Sequence, residues 1–90
     1  MTKADLIALA ERCEALRGYS NEIDVLAELA LFKPDDDYVS VRANHAGTKV
    51  VYTTASGHDQ TYWAPDHTIS NAARQKTSAS LRAIAEEMDG

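Results

Sequence analysis

Residues 38–63 read YVSVRANHAGTKVVYTTASGHDQTYW, and this stretch decides the fold. At its start, Val39 and Val41 alternate with the polar residues Ser40 and Arg42. A period of two residues is typical of a half-buried strand, because successive side chains point to opposite faces. We therefore predict a strand that begins at residue 38, with both valines facing a layer of helices and with Ser40 and Arg42 facing away.

Two further strands are predicted within the same stretch. Residues 49–54 and 60–63 are rich in β-branched and aromatic residues, which favour strands. The segments between the three strands, 44–47 and 56–59, contain the asparagine, glycine and aspartate that are typical of tight turns. Because connections this short join antiparallel neighbours, the sequence predicts a three-stranded antiparallel meander.

An amphipathic helix is predicted at the start of the chain. Thr2, followed three residues later by Asp5, forms a capping pattern that is typical of a helix N-terminus. Gly18 marks the expected end of this helix. The apolar side chains that recur at helical spacing are Leu6, Leu9, Cys13 and Leu16.

A second helix is predicted from Ser20 or Asn21 to Phe32, and Pro34 ends it. Its apolar residues fall on two different sides. One side carries Ile23, Leu26, Ala27 and Ala30, and the other side carries Val25, Leu29 and Phe32.

A third helix is predicted after the sheet. Its apolar stripe is formed by Thr77, Leu81, Ile84 and Met88. Ser70 and Thr77 are both suitable N-caps, so the sequence leaves the start of this helix open. The complete prediction is one α+β domain over residues 1–90, with two N-terminal helices, a three-stranded antiparallel meander and a C-terminal helix.

All of the net charge of −5 lies in residues 20–37. This segment contains a single basic residue, Lys33. Its acidic residues are Glu22, Asp24, Glu28, Asp35, Asp36 and Asp37. The negative electrostatic potential of this segment attracts a basic protein and repels the phosphates of nucleic acids.

Two interpretations of the acidic segment stay open. Charge runs are usually solvated, and acids in the first turn of a helix are favoured by the helix dipole. Alternatively, the acids form a surface that binds a protein partner with a basic surface. We predict that the acids form such a surface and that the protein does not bind nucleic acid directly. The residues assigned to partner binding are Glu22, Asp24, Glu28, Asp35, Asp36, Asp37 and Tyr38.

Cys13 is the only cysteine, so no internal disulfide is expected. An unpaired thiol suits a reducing compartment, and we expect the protein in the cytoplasm. Because Cys13 falls on the apolar side of the first helix, we expect its thiol to be buried. The chain contains no apolar stretch long enough to span a bilayer, so no membrane partner is expected.

The histidines do not predict a metal centre. In a meander, the turn that carries His45 and the exit that carries His67 lie at one end of the sheet, and His58 lies at the other. His45, His67 and Asp66 remain a weaker alternative for a small metal-dependent enzyme, because a zinc site needs three or four converging ligands. The turn at 56–59 has the residue types of a hydrolytic triad, but close neighbours cannot form its relay. We predict no metal, no cofactor and no catalytic residue.

Four aromatic residues cluster in the predicted strands, namely Tyr38, Tyr52, Tyr62 and Trp63. Aromatic rings on a sheet can stack the bases of single-stranded nucleic acid, but such surfaces depend on accompanying positive charge. We therefore predict that these rings belong to the core or to a protein interface.

Two parts of the chain resemble a known class of proteins. The first part is KADLIALAERCEALRG at residues 3–18, followed by SNEIDVLAELA at residues 20–30 and by Lys33 and Pro34. The second part is SASLRAIAE at residues 78–86. Both resemble the alanine-rich helices of small uncharacterised phage and prophage proteins of the α-β-α sandwich type.

The resemblance implies a phage origin and a non-enzymatic role in the cytoplasm of a host cell. Small acidic phage proteins of this kind are similar to inhibitors of host nucleic-acid machines, including anti-CRISPR proteins, which cover basic nucleic-acid-binding grooves. We therefore expect the partner to be a host protein with a basic surface. A self-associating phage accessory or structural protein is the alternative, and it leaves a homodimer open.

Overall fold

The computed structural model describes residues 1–88 and contains three helices and three strands. The elements are α1 (Lys3–Ala15), α2 (Asn21–Leu31), β1 (Tyr38–Ala43), β2 (Val50–Thr54), β3 (Asp59–Tyr62) and α3 (Asn71–Glu87). Their order and type confirm the predicted α+β class. None of the helices in these residues combines the length and the apolar character that crossing a membrane requires.

Side-chain caps explain where the helices begin. The Thr2 hydroxyl accepts a hydrogen bond from the Asp5 amide at 3.1 Å, and the Asp5 carboxylate accepts one from the Thr2 amide at 3.0 Å. This reciprocal capping box was predicted by the sequence pattern. Ser20 and Ser70 cap α2 and α3 by accepting hydrogen bonds from the amides three residues further on. The cap at Ser70 shows that the third helix begins at the earlier of the two N-cap positions that the sequence left open.

The three strands pair antiparallel in the order β1-β2-β3, which confirms the predicted meander. The turns that join them contain Gly47, with φ of 72°, and Gly57, with φ of 89°. Glycine adopts positive φ without the steric cost that a Cβ atom imposes. These two glycines therefore allow the tight connections on which the meander depends.

The register of β1 changes at Val39. Tyr38 and Ser40 pair with two successive residues of β2, so Val39 is an additional residue and forms a β-bulge. The prediction that Val39 faces the helices is wrong, because the bulge breaks the alternation and leaves this side chain 47% exposed. Val41 packs into the core, and Ser40 and Arg42 are exposed, as predicted. The inward position near the bulge belongs to Tyr38.

Helix α2 takes part in two separate hydrophobic clusters. One cluster joins α2 to α1 and α3 and includes Ile23 and Leu81. The other joins α2 to the sheet and includes Val25 and Val50. The two apolar sides predicted for the second helix are confirmed, because each side enters a different cluster.

The sheet packs against a single helix. Helix α2 contacts β1 and β2, and within residues 1–88 neither α1 nor α3 contacts the sheet. Helix α2 therefore lies between the sheet and the paired helices α1 and α3, and the α-β-α layering implied by the resemblance is not seen. The opposite face of the sheet carries the exposed ion pair of Arg42 and Asp59, whose charged atoms are 2.7 Å apart.

Cys13 is fully buried in the helical cluster, which confirms its predicted place on α1. Burial is the main reason that the pKa of Cys13 is raised, and the nearby carboxylates of Asp24 and Glu14 add to the effect. The thiol therefore stays protonated at neutral pH and packs as a small apolar side chain.

We expect Leu81→Ala to lower the free energy of unfolding by about 2 to 5 kcal/mol, because it deletes a fully buried side chain and leaves a cavity. Val39→Ala is the control, since this valine is exposed at the bulge, and its effect should stay within about 0.5 kcal/mol. Urea denaturation of both variants measures the difference. Equal losses in the two variants would contradict the assignment of the core.

Candidate functional site

Two acidic residues of α2 lie on one flank of the helix. Asp24 and Glu28 are four residues apart, and side chains at this spacing share a helix face. The flank lies between the two apolar sides of α2. The segment between β3 and α3 covers it, with Thr68 against Asp24 and His67 against Glu28.

Asp24 is completely buried. Its Oδ1 atom accepts a hydrogen bond from the Thr68 hydroxyl at 2.8 Å, and its Oδ2 atom has no hydrogen-bond partner within residues 1–88. Burial raises the pKa of Asp24, and the Thr68 hydroxyl and the nearby His67 offset this only in part. The prediction that Asp24 belongs to a partner-binding surface is wrong, because a buried carboxylate cannot contact a partner.

Thr68 fixes the covering segment in place. The Ser20 amide donates to the Thr68 hydroxyl oxygen at 2.9 Å, and the Arg74 guanidinium donates to the Thr68 carbonyl at 2.8 Å. One residue earlier, the His67 carbonyl accepts a hydrogen bond from the Thr77 hydroxyl at 2.8 Å. The segment is thus attached to the starts of both α2 and α3, and this attachment holds the His67 ring against α2.

Glu28 is the second acid that the structure turns inward, since only 14% of its side chain is exposed. Its Oε2 atom accepts a hydrogen bond from the Tyr52 hydroxyl at 2.6 Å, and its Oε1 atom lies 3.0 Å from His67 Nε2. Burial raises the pKa of Glu28, but these two hydrogen bonds outweigh it and lower the pKa overall. The predicted place of Glu28 on an exposed acidic face is therefore wrong, and its carboxylate holds Tyr52 and His67 in position.

Tyr52 is the centre of a row of aromatic rings. Its ring centroid lies 4.9 Å from that of Tyr38, 5.9 Å from that of Phe32 and 6.0 Å from that of Tyr62. Burial, followed by the hydrogen bond to Glu28, raises the pKa of Tyr52, so the phenol remains a proton donor. The four rings line an open groove of about 480 Å³ between the end of α2 and the sheet. We call this feature, defined by Phe32, Tyr38, Tyr52 and Tyr62, the tyrosine groove.

The segment between α2 and β1 borders the tyrosine groove. Asp35 lines the groove, and its Oδ1 atom accepts hydrogen bonds from the amides of Asp37 and Tyr38, each at 2.8 Å. This pattern folds the segment into a tight turn. Asp36 and Asp37 are exposed, and their carboxylates make no ion pair or hydrogen bond with the part of the chain that the structure describes. We call Asp35, Asp36 and Asp37 the acidic loop.

Glu22 stands apart from the groove. Its exposed carboxylate forms an ion pair with Arg12 of α1, with a distance of 2.9 Å between the charged atoms. Exposed pairs of this kind contribute at most about 1 kcal/mol. Of the seven predicted partner-binding residues, Glu28, Asp35 and Tyr38 line the tyrosine groove, and Asp36 and Asp37 lie between Asp35 and Tyr38 in the chain.

The other residues considered for chemistry lie elsewhere. Among residues 1–88, no group of three or more histidine, cysteine, aspartate or glutamate side chains is placed to hold a metal ion. The alternative site from His45, His67 and Asp66 is not formed, because the His67 ring is directed at Glu28. Trp63 is 65% exposed, and the Lys49 ammonium group lies 4.6 Å from the centre of its ring.

No protein-family model, curated protein or solved structure matches this chain significantly. The resemblance to phage proteins therefore stays a prediction.

Sequence reasoning missed His67 and Phe32 as residues of the site. The sequence indicated His67 only as a ligand of the alternative metal site, and it placed Phe32 on an apolar side of the second helix without a groove beside it. One signal was available in the spacing of Asp24 and Glu28, which lie on a flank between two apolar sides. Such a flank is partly enclosed, so its carboxylates need polar partners from another segment.

We expect Asp24→Asn to become more stable relative to the unaltered protein as the pH rises from about 4 to about 7. The folded-state pKa of Asp24 lies above its unfolded value of 3.8. The contribution of Asp24 to the stability of the folded state is therefore fully present below the unfolded pKa. It is lost as the pH rises through the folded pKa, because the folded protein must then bury a charged carboxylate. Asparagine has no charge to bury.

Urea denaturation at both pH values measures this difference. Glu22→Gln is the control, because it removes an exposed carboxylate from the same helix. A stability difference between Asp24→Asn and the unaltered protein that does not vary with pH would contradict the buried, strained state of this carboxylate.

Proposed function

We propose that this protein is a non-enzymatic binding protein that docks on a basic protein partner through the tyrosine groove and the acidic loop. One observation supports this proposal above the others. Partly exposed aromatic rings line the same groove as Asp35, and the exposed Asp36 and Asp37 that follow it in the chain have carboxylates with no hydrogen-bond or ion-pair partner within residues 1–88.

The aromatic rings and the acidic side chains of this surface contribute to binding in different ways. Tyrosine rings supply a large contact area with few rotatable bonds, and aromatic residues are enriched at the centres of protein interfaces. Tyr62 is 48% exposed, so binding would remove apolar surface from water. Exposed carboxylates at the edge of an interface mainly speed the approach of a basic partner.

The hydrogen bonds of the groove support binding over chemistry. The Tyr52 hydroxyl donates to Glu28, and the hydroxyls of Tyr38 and Tyr62 both donate to the side-chain oxygen of Gln60, each at 2.9 Å. Each phenol is therefore held by a partner inside the protein. Groups held in this way present a fixed surface, which reduces the entropy lost on binding.

We also propose, more narrowly, that the partner is a host nucleic-acid machine and that this protein inhibits it in the manner of an anti-CRISPR protein. The net charge of −5 and the acidic loop support this, because basic nucleic-acid-binding grooves attract such a surface. The resemblance to small phage proteins is the other support, and it also supports a location in the cytoplasm of a host cell.

Self-association as a phage accessory or structural protein is the second candidate. The exposed Trp63 favours it, because a large apolar ring at the surface is often covered in an assembly. Light scattering over a range of protein concentrations tests this candidate. A stable oligomer that Trp63→Ser disrupts would favour it over the docking function.

We expect the double variant Asp36→Lys, Asp37→Lys to lose its basic partner. Protein captured from a bacterial lysate by the unaltered chain is identified and quantified by mass spectrometry, and recovery should fall as salt screens the charges. The variant should remain folded, because these two exposed carboxylates make no hydrogen bond or ion pair with the described chain.

The matched control is Glu11→Lys, Glu86→Lys. It changes the net charge by the same amount at exposed positions of α1 and α3. Capture of the same proteins by the control and by the acidic-loop variant would show that the loop does not determine binding, and would remove the basis of the proposed function.

A further inference from the structure

The tyrosine groove combines a surface of aromatic rings with a fixed carboxylate. The ring of Tyr52 is tilted by 32° to that of Tyr38 and by 50° to that of Tyr62, so the three neighbouring rings do not share one plane. Asp35 lies in the lining of the same groove. A ligand in the groove can therefore meet aromatic faces and negative charge at the same time.

The Asp35 carboxylate is oriented before any ligand arrives. Its Oδ1 atom is occupied by two backbone amides, those of Asp37 and Tyr38. Its Oδ2 atom has no hydrogen-bond partner among residues 1–88, and the residue is exposed. The turn thus holds the Asp35 carboxylate in the lining of the groove with one oxygen open.

The charges of the groove select the sign of the ligand. Glu28 and Asp35 line it together with Lys33 and with His67, whose ring is paired with Glu28. Asp36 and Asp37 of the acidic loop follow Asp35 in the chain and add further negative charge. Aromatic rings carry negative potential on their faces, which attracts cations. A phosphate or a nucleotide would meet repulsion from the same carboxylates.

We propose that the tyrosine groove binds an arginine side chain of the basic partner, an inference that rests on the proposed function. The planar guanidinium would lie against the rings of Tyr52 and Tyr62, and its N–H groups would donate to Asp35 Oδ2. Guanidinium suits this place because it stacks on aromatic rings and is more weakly hydrated than an ammonium group. Lysine offers only a compact, strongly hydrated charge.

The experiment uses a blocked five-residue peptide with a central arginine, titrated into the full chain and followed by the NMR signals of the tyrosine rings. We expect saturable shifts of the signals from the groove. Matched peptides with a central lysine or a central citrulline should bind at least about threefold more weakly, because the first loses the planar stacking and the second loses the charge.

Two variants test the two halves of the site. Tyr62→Leu removes an exposed ring, and Asp35→Asn removes the charge while keeping a side-chain oxygen for the turn. Each should weaken binding of the arginine peptide by about two- to fivefold. Tyr19→Leu is the control, because this exposed tyrosine is not part of the groove, and it should leave binding unchanged.

The outcomes separate this inference from the proposed function. Equal binding of the arginine and citrulline peptides, or equal binding by Tyr62→Leu and Tyr19→Leu, would overturn the arginine site. If the acidic-loop reversal still loses its protein partner in that case, the docking function stands without it. If the arginine peptide binds as expected but the reversal keeps its partner, the affinity of the groove for arginine stands, and both the docking function and the assignment of that arginine to the basic partner fail.

Discussion

Helix α2 must bury two faces at once, and the rest of the structure depends on this constraint. Ile23 enters the cluster with α1 and α3, while Val25, two residues later, enters the cluster with the sheet. Without α2, the sheet would have no helix to cover it, since neither α1 nor α3 contacts it within residues 1–88. An eleven-residue helix with two buried sides exposes little of its surface to solvent. Its polar side chains are therefore confined to the narrow flanks between those sides.

This constraint decides where the acids lie. Asp24 and Glu28 occupy the flank between the two buried sides, where removing a carboxylate from water is costly unless it is hydrogen-bonded. Glu28 meets this requirement with both oxygens, and Asp24 meets it with one. The segment that carries His67 and Thr68 is therefore held to α2 by polar contacts, and it closes one side of the tyrosine groove.

The sequence predicted what depends on local periodicity and missed what depends on distant pairing. The cap at Thr2, the two sides of α2 and the meander follow from residues that are neighbours along the chain. The bulge at Val39 depends on how β1 meets β2. The burial of Asp24 depends on Thr68, which is 44 positions away. The net charge of a segment counts every acid equally, because it contains no information about contacts between residues that are distant in the chain.

The acids that face inward and the acids that face solvent have different roles, and this difference explains how the aromatic groove is held in place. Tyr52 reaches from the sheet to Glu28, so one hydrogen bond connects the central ring of the groove to the helix that organises both clusters. A carboxylate acceptor makes this bond stronger than one between neutral groups. The inward acids thus fix the aromatic surface, while Asp36 and Asp37 remain in water beside it. The acidic segment 20–37 therefore supplies both the carboxylate that supports the groove and the carboxylates that give it negative charge. This division of roles makes the groove, more than the net charge, the feature on which the proposed recognition depends.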